Sequence, residues 1–440
     1  MAGFSVQPFW ELTFDADGDV NTGQRDALTR DVARADLTDL VLFAHGWNND
    51  RSMATRLYDR FFAPFPELLA GAEGVRVGYA GVFWPSMRFT DEPIPDFPSH
   101  TAAATASAAR TGTGLDKDTR LALNTVFPGR VMTVARLAEL LEKQPDSRSR
   151  LEEFASLVRQ LAEAPSGSPA ARFAADTDHD GPGSGVPTML TDDPVKVCER
   201  FTSALAEAGD ARPELFGGGL KRLWNGAREM LRQASYYGMK RRAGTVGQLG
   251  LGPVLGLLAH SSPTLRVHLI GHSFGGRLMS FALRGLPEGV DSVKSLTLLQ
   301  GAFSHYAFAE SLPHAAGRGG ALRGAQSRVD GPVVACHSSH DTALSVLYPA
   351  ASQLADDAES VLGIGDKRWG AVGFDGIKAV DACEKLTLAE ALRGPFPATG
   401  CVSVDASAVV ARGFPPAGAH SDICHKELAR VALTAGRVIH

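Results

Sequence analysis

One serine in this chain stands in a setting that can turn a hydroxyl into a nucleophile. Ser273 is the centre of Gly271-His272-Ser273-Phe274-Gly275, inside the longer run Val267 to Gly276. A serine hydroxyl is a poor nucleophile until it is fixed in an accessible place beside a base. A strand that turns sharply into a helix offers such a place. That turn is crowded, so the residues two positions either side of the serine must be minimal. The pattern alone says little: with 47 glycines in 440 residues, roughly 0.3 chance matches are expected. The flanks decide. Leu265, Val267, Leu269 and Ile270 read as a buried strand, and Arg277 to Arg284 read as a helix stopped by Gly285 and Pro287.

The elements around this turn follow an alternating pattern. Phe4 to Phe14 reads as a strand ending in the acidic turn Asp15 to Asp19. A helix from Gly23 to Ala35 leads into the apolar strand Leu40 to Ala44, and His45-Gly46-Trp47-Asn48-Asn49 follows at once. A helix over Arg51 to Leu69 leads to a strand from Val75 to Trp84, stopped by Pro85. Beyond the serine, strands are expected at Val293 to Leu299, Pro332 to Cys336 and Cys401 to Asp405, with a closing helix from Cys424 to Val438. The glycine- and arginine-rich stretch Ala315 to Gly331 reads as a mobile surface loop. Strands alternating with helices predict an α/β fold, a mostly parallel sheet with helices on both faces.

Residues 86–241 break the alternation. Pro93 to Gly114 reads as loose, and 164–194 as a flexible linker. Between and after them come four amphipathic helices: Val131 to Leu141, Leu151 to about Pro165, one started by the cap pair Asp193-Pro194, and one from about Gly219 carrying Leu223, Trp224, Ala227, Leu231 and Ala234. Such a block inserted into a sheet reads as a cap. The run Asp176 to Gly181 begins like a calcium loop, but Pro187 stands where the twelfth-position glutamate belongs. It and Asp15 to Asp19 read as solvated turns. Lys221, Arg222, Arg228, Arg232, Lys240, Arg241 and Arg242 read as a solvated basic face. The functional alternative for that face is an anionic substrate or an acidic partner held over the cleft.

This arrangement resembles the α/β-hydrolase superfamily over residues 35–90 and 245–440, with the helical block outside the resemblance. The resemblance implies a hydrolase core at 1–85 and 242–440 and a helical cap at 86–241. It also implies the chain order nucleophile, acid, histidine. Ser273 matches the nucleophile. Asp341, in His337-Ser338-Ser339-His340-Asp341, matches the acid, with a helix N-cap as its structural alternative; the loop after the preceding strand has no carboxylate until Glu310. His420, in Gly418-Ala419-His420-Ser421-Asp422, matches the base, since His425 falls in a helix pattern and His440 is terminal. By the same resemblance the backbone N–H groups of Trp47 and Phe274 form the oxyanion hole. His45, Gly46, Gly271 and Gly275 support the two turns. Tyr236, Tyr237, Trp84 and Phe303 either line an acyl pocket or belong to the core.

A serine at the turn excludes the aspartate- and cysteine-based relatives. The expectation is a serine esterase, a carboxylic-ester hydrolase acting on a small or medium-sized acyl compound through an acyl-serine. A peptidase, amidase or acyltransferase on the same triad is the alternative among enzymes, and a non-catalytic ligand-binding or signalling module the alternative outside them. No cofactor and no metal are expected. The net charge of −5 gives no basic field for nucleic acid. The N-terminal stretch lacks a basic region followed by an apolar run, and Leu249 to Ala259 is too short for a membrane span. Five cysteines, odd in number and without metal-ligand spacing, fit reduced thiols and a cytoplasmic location.

Overall fold

The computed structural model of the chain describes residues 4–47, 49–87, 114–127, 129–162, 173–177, 192–207, 220–315, 317–348, 370–414 and 417–439. Eight strands form one sheet. They are β1 (Phe9–Thr13), β2 (Asp39–Ala44), β3 (Val77–Phe83), β4 (Arg266–His272), β5 (Val293–Leu299), β6 (Pro332–His337), β7 (Glu384–Thr387) and β8 (Gly400–Asp405). Their order across the sheet is β1-β3-β2-β4-β5-β6-β8-β7, and every neighbouring pair is parallel. This is an α/β architecture compatible with an α/β-hydrolase-like fold. β7 is the strand the sequence pattern does not reveal. It is a short edge strand, Glu384-Lys385-Leu386-Thr387, with no buried residue, and charge on such an edge discourages further pairing.

The sheet core explains where the site must be. β2 is buried along its whole length. Leu40, Leu42 and Ala44 pack in one apolar core with Phe274 and Leu278 of helix Phe274–Arg284, while Val41 and Phe43 pack in a second with Leu57, Tyr58 and Phe61 of helix Arg51–Phe62. The two helices therefore cover opposite faces, as period-2 alternation along the strand requires. The chain order accounts for this. From β2 the connection runs to β3 on one side, and from β4 to β5 on the other; right-handed crossovers moving in opposite directions put their helices on opposite faces. A crevice opens at such a reversal, above the carboxyl ends of β2 and β4. His45 follows β2 there and Ser273 follows β4.

We number the helices that bear on the site α1 (Thr22–Arg34), α2 (Arg51–Phe62), α3 (Lys117–Val126), α4 (Val131–Lys143), α5 (Arg148–Ala162), α6 (Pro194–Glu207), α7 (Leu223–Thr245), α8 (Gly252–Ser261), α9 (Phe274–Arg284) and α10 (Lys426–Ala435). Pro64 and Pro66 end the predicted long helix early, leaving α2 and a separate turn at Phe65–Leu68. Five helices, α3 to α7, are described in the block between β3 and α8, one more than expected. The extra one, α3, is started by Asp116, whose carboxylate accepts from the N–H groups of Asp118 and Thr119. It buries only Thr119 and Leu123, which leaves little apolar period to read. Asp193 caps α6 as predicted, accepting from Val195 and Lys196.

The helical block is not a separate body. α7 runs across positions 241 and 242 and continues through a wider turn, Val246–Leu251, into α8. Leu137, Phe154, Phe201 and Trp224 of the block share one continuous apolar core with Leu269 and Leu278.

Three expectations are corrected. Asp176 is not in a solvated turn but buried, bound to Arg277 Nε at 3.0 Å and Lys240 Nζ at 2.9 Å. It also accepts from the Ser304 N–H at 3.0 Å. The local run of acidic residues looks solvated because its partners lie 64 and 101 positions away in the chain. Nor do the basic residues of α7 form one solvated face. Lys240 is buried, Arg232 pairs with the buried Glu229 at 3.2 Å, and burial pushes Arg242 down to about 10. Ala315 to Gly331 is packed rather than loose: Leu322 and Val329 are buried, and Leu322 donates to the Ala307 carbonyl. Residues 93–113, Asp178 to Gly181 and most of the 164–194 linker lie outside the described residues.

Asp176 ties the chain of the helical block to α9, the helix that begins at the serine turn. Burial raises the Asp176 carboxyl, but the charges of Lys240 and Arg277 outweigh it and hold the group below its ordinary value. Its stabilisation is therefore complete above the ordinary aspartate range and lost as pH falls through the lower folded value. Asp176→Ala leaves two buried cations without their counterion and is expected to lower the unfolding free energy by about 3–5 kcal/mol at pH 7. Urea unfolding measures this; a change below about 1 kcal/mol would show that the cluster does not tie the block down.

Candidate active site

Ser273 lies in the turn between β4 and α9 with φ 55° and ψ −122°. A non-glycine residue held there is strained and persists only where its surroundings impose it. The surroundings are backbone. A side-chain carbon on Gly275 would collide with the Ala44 carbonyl oxygen at the end of β2, and one on Gly271 with the Gly275 carbonyl. The turn closes through Ser273 N–H to the Leu299 carbonyl at 3.0 Å and Gly276 N–H to the Ser273 carbonyl at 3.1 Å. Phe274 is the first residue of α9, so its N–H is one of the donors that a helix start leaves unused by its own ladder.

The structure brings the three residues matched to the triad together. His420 Nε2 is 2.9 Å from Ser273 Oγ, and His420 Nδ1 is 2.8 Å from Asp341 Oδ2. His420 sits in the loop between β8 and α10; Asp341 is fully buried beyond the end of β6. The two roles considered for Asp341 coexist. Its Oδ1 accepts the Leu344 N–H at 3.0 Å, as an N-cap does, and its Oδ2 faces the imidazole. His425 is turned elsewhere, toward Asp422 at 2.9 Å. Glu310 is exposed.

The loop after β2 is shaped by His45. Its Nδ1–H donates to the Gly46 carbonyl at 2.9 Å, and its Nε2 accepts the Trp84 N–H at 3.4 Å. Burial pushes the imidazole down to about 4, which keeps it neutral and suits one donor and one acceptor nitrogen. Asn49 also donates to the Gly46 carbonyl, at 3.3 Å. A trans peptide points its N–H opposite to its C=O, so holding the Gly46 carbonyl toward His45 turns the Trp47 N–H away from it. Gly46 is pressed onto the serine turn: a side-chain carbon there would lie 2.7 Å from Ser273 Cβ. Trp84 stacks on His45 with centroids 5.6 Å apart, a core role rather than a pocket wall. Phe303 is likewise fully buried. Tyr236 of α7 lies against Phe274 and Trp47, with ring centroids 4.6 and 5.7 Å away. The helical block thus reaches both residues matched to the oxyanion hole.

Sequence reasoning missed two polar partners. His272 Nε2–H donates to the His420 carbonyl at 2.9 Å, tying the histidine loop to the serine turn. Burial, and then the neighbouring His420, push His272 down to about 3. Gln300, at the end of β5, donates from Nε2 to Asp341 Oδ2 at 2.9 Å. Gln300 is not a residue type that a search for nucleophile, acid and base picks out; His272 is, but its bond to a loop 148 positions away leaves no signal in the motif around it.

A second serine, histidine and aspartate lie in line at the other end of the sheet. Ser295 Oγ is 3.0 Å from His268 Nδ1, and His268 Nε2 is 2.8 Å from Asp39 Oδ1. Ser295 lies within β5, beside a register shift in its pairing with β4, and the His268 side chain is 3% exposed against 16% for His420. Without a turn or access this cluster is a buried hydrogen-bond network. No group of three or more histidine, cysteine or acidic side chains among the described residues can hold a metal ion. No described helix is long and apolar enough to cross a membrane. No protein-family model matches the chain, and neither does any curated protein or solved structure.

The two buried neutral histidines at the site give a pH dependence. Both have folded values below the unfolded one of about 6.5, so the unfolded chain binds more protons as pH falls below 6.5 and stability drops. His45 and His272 are each expected to remove roughly 2 kcal/mol between pH 7 and pH 5. Urea unfolding at the two pH values checks this, with a smaller drop expected in His272→Gln; an unchanged drop in that variant would contradict it.

Proposed function

We propose that the protein is a serine hydrolase that works through an acyl-serine intermediate, a carboxylic-ester hydrolase acting on a small or medium-sized acyl substrate. One observation carries this reading: Ser273 Oγ, the His420 imidazole and the Asp341 carboxylate are in line at 2.9 and 2.8 Å. Ser273 lies at the carboxyl end of β4, next to that of β2 and at the start of α9.

His420 Nε2 takes the Ser273 proton as Oγ attacks the acyl carbon, and Asp341 stabilises the imidazolium that forms and fixes its tautomer. The negative charge that develops on the acyl oxygen is met by the N–H groups of Phe274 and Trp47. Losing one such donor typically costs ~2.7–4 kcal/mol of transition-state stabilisation. The imidazolium then protonates the leaving group. Water, deprotonated by His420, releases the acyl group and restores the serine. The helical block serves as the cap of this site, a role supported by the packing of Tyr236 on Phe274 and Trp47. Its apolar, aromatic contribution beside the nucleophile suits a dissolved acyl compound taken into a closed site better than an aggregated lipid surface.

Turnover of short p-nitrophenyl esters tests the proposal. Measurable hydrolysis is expected, with no jump in rate at the solubility limit. Ser273→Ala, His420→Ala and Asp341→Ala should each lower kcat at least about a thousand-fold with the fold retained, because the three act as a unit. His425→Ala should retain activity. Near-full activity in His420→Ala together with its loss in His425→Ala would overturn the assignment of the base. Esters are expected to turn over faster than the matching anilides, whose amine must be protonated to leave. Rapid anilide cleavage, with esters of the same acyl group no better, moves the protein to the peptidase reading.

A further inference from the structure

The mechanism above uses Ser273, His420, Asp341 and two backbone donors, and leaves Gln300 without a task. Gln300 is fully buried directly after β5, and its backbone is in the left-handed region at φ 47°. Its N–H donates to the Cys336 carbonyl of β6 at 3.2 Å. Its side-chain nitrogen donates twice, to Asp341 Oδ2 at 2.9 Å and to the Gly373 carbonyl at 2.9 Å. A carboxylate and a carbonyl are both acceptors, so the amide must present nitrogen to them. Its Oε1 is then left buried with no partner. A strained backbone and an unused buried acceptor are both unfavourable, and the position persists because the loops interlock. Gly373 N–H donates to the Gly301 carbonyl at 2.9 Å, and the Gly373 carbonyl also accepts the Ser338 N–H at 3.0 Å. Three loops thus hold the Gln300 amide against one oxygen of Asp341, the oxygen that faces His420.

We propose that Gln300 is the positioning residue for Asp341: its amide fixes which carboxylate oxygen meets His420 and offsets part of the charge on that oxygen. All three hydrogen bonds to this carboxylate then have assigned work. Leu344 N–H holds Oδ1, and His420 and Gln300 share Oδ2. Without the amide, Oδ2 would carry more uncompensated charge beside His420, and the imidazolium would be favoured. His420 would then release its proton at higher pH. The other titratable groups on the elements around this pair are neutral, engaged or exposed. From β4 come Ser273 and His272, the latter held neutral. From the histidine loop comes Asp422, which is engaged by His425 and by the N–H groups of Ala411 and Arg412. On the acid loop His340 is exposed, and its carbonyl accepts the Ala419 N–H.

The catalytic consequence of this proposal rests on the serine-hydrolase reading, but its test does not. The ring of His420 is titrated by NMR in the full chain carrying 15N-histidine, its signal identified by loss in His420→Asn. In Gln300→Leu the midpoint is expected to rise by about one pH unit. In Gln300→Met, close in size and without a donor, it should rise by a similar amount. Where ester turnover is present, the acid limb of kcat/KM should move the same way and kcat should fall with KM little changed. A merely structural role would lower thermal stability and kcat without moving the His420 midpoint. A midpoint within about 0.2 unit of wild type in Gln300→Met overturns the proposal, and so does the same result in Gln300→Leu where that variant folds. A shifted midpoint in a chain that turns over no ester and takes no acylating reagent would instead leave Gln300 as the positioning residue of Asp341 and overturn the hydrolase reading.

Discussion

The site depends on one constraint, the contact between the start of α9 and the end of β2. Gly275 sits against the Ala44 carbonyl and Gly46 against Ser273, so two backbone turns from neighbouring strands are in direct contact. That contact does two things at once. It holds Ser273 at a positive φ that an isolated serine would leave. It also brings the first N–H of α9 and the loop after β2 to the same small volume, where an acyl oxygen would have to be. Side-chain chemistry is then added to a frame that backbone packing has already set.

The polar groups around the frame fall into two electrostatic kinds. His45 and His272 are buried and neutral, and they act as hydrogen-bond struts: one orients the Gly46 peptide, the other holds the His420 backbone. Asp176, Arg277 and Lys240 are buried as charged groups and fasten the helical block to the helix that carries the serine turn. Neutral struts can set geometry without placing a fixed charge beside the His420 imidazole. The charged cluster, facing the first turn-and-a-half of α9, gives the block a fixed attachment close to Phe274.

The serine turn, the parallel sheet and the loops that hold Asp341 and His420 are legible because each has a local signature. Those signatures are a glycine-flanked serine between a strand and a helix, apolar runs of strand length, and loops in the expected order. The elements that escaped lack one. β7 is too short and too polar to show a strand pattern, and α3 buries too few residues to show a helical one. α8, whose glycines and apolar residues were weighed only as a membrane segment, is recognisable as a helix through its continuity with α7. Asp176 looked solvated because burial of a charge is decided by partners far away in the chain. Gln300 escaped because its work is done on another side chain, and nothing in its neighbours along the chain records that contact.

Labelling with a fluorophosphonate followed by peptide mapping tests the central claim most directly, because the reagent reacts with an activated serine and needs no knowledge of the substrate. The account predicts a single adduct on the peptide that contains Ser273, lost in Ser273→Ala and strongly slowed in His420→Ala. An adduct on a different serine, with Ser273 unmodified, or the absence of any adduct on the folded protein, would contradict it.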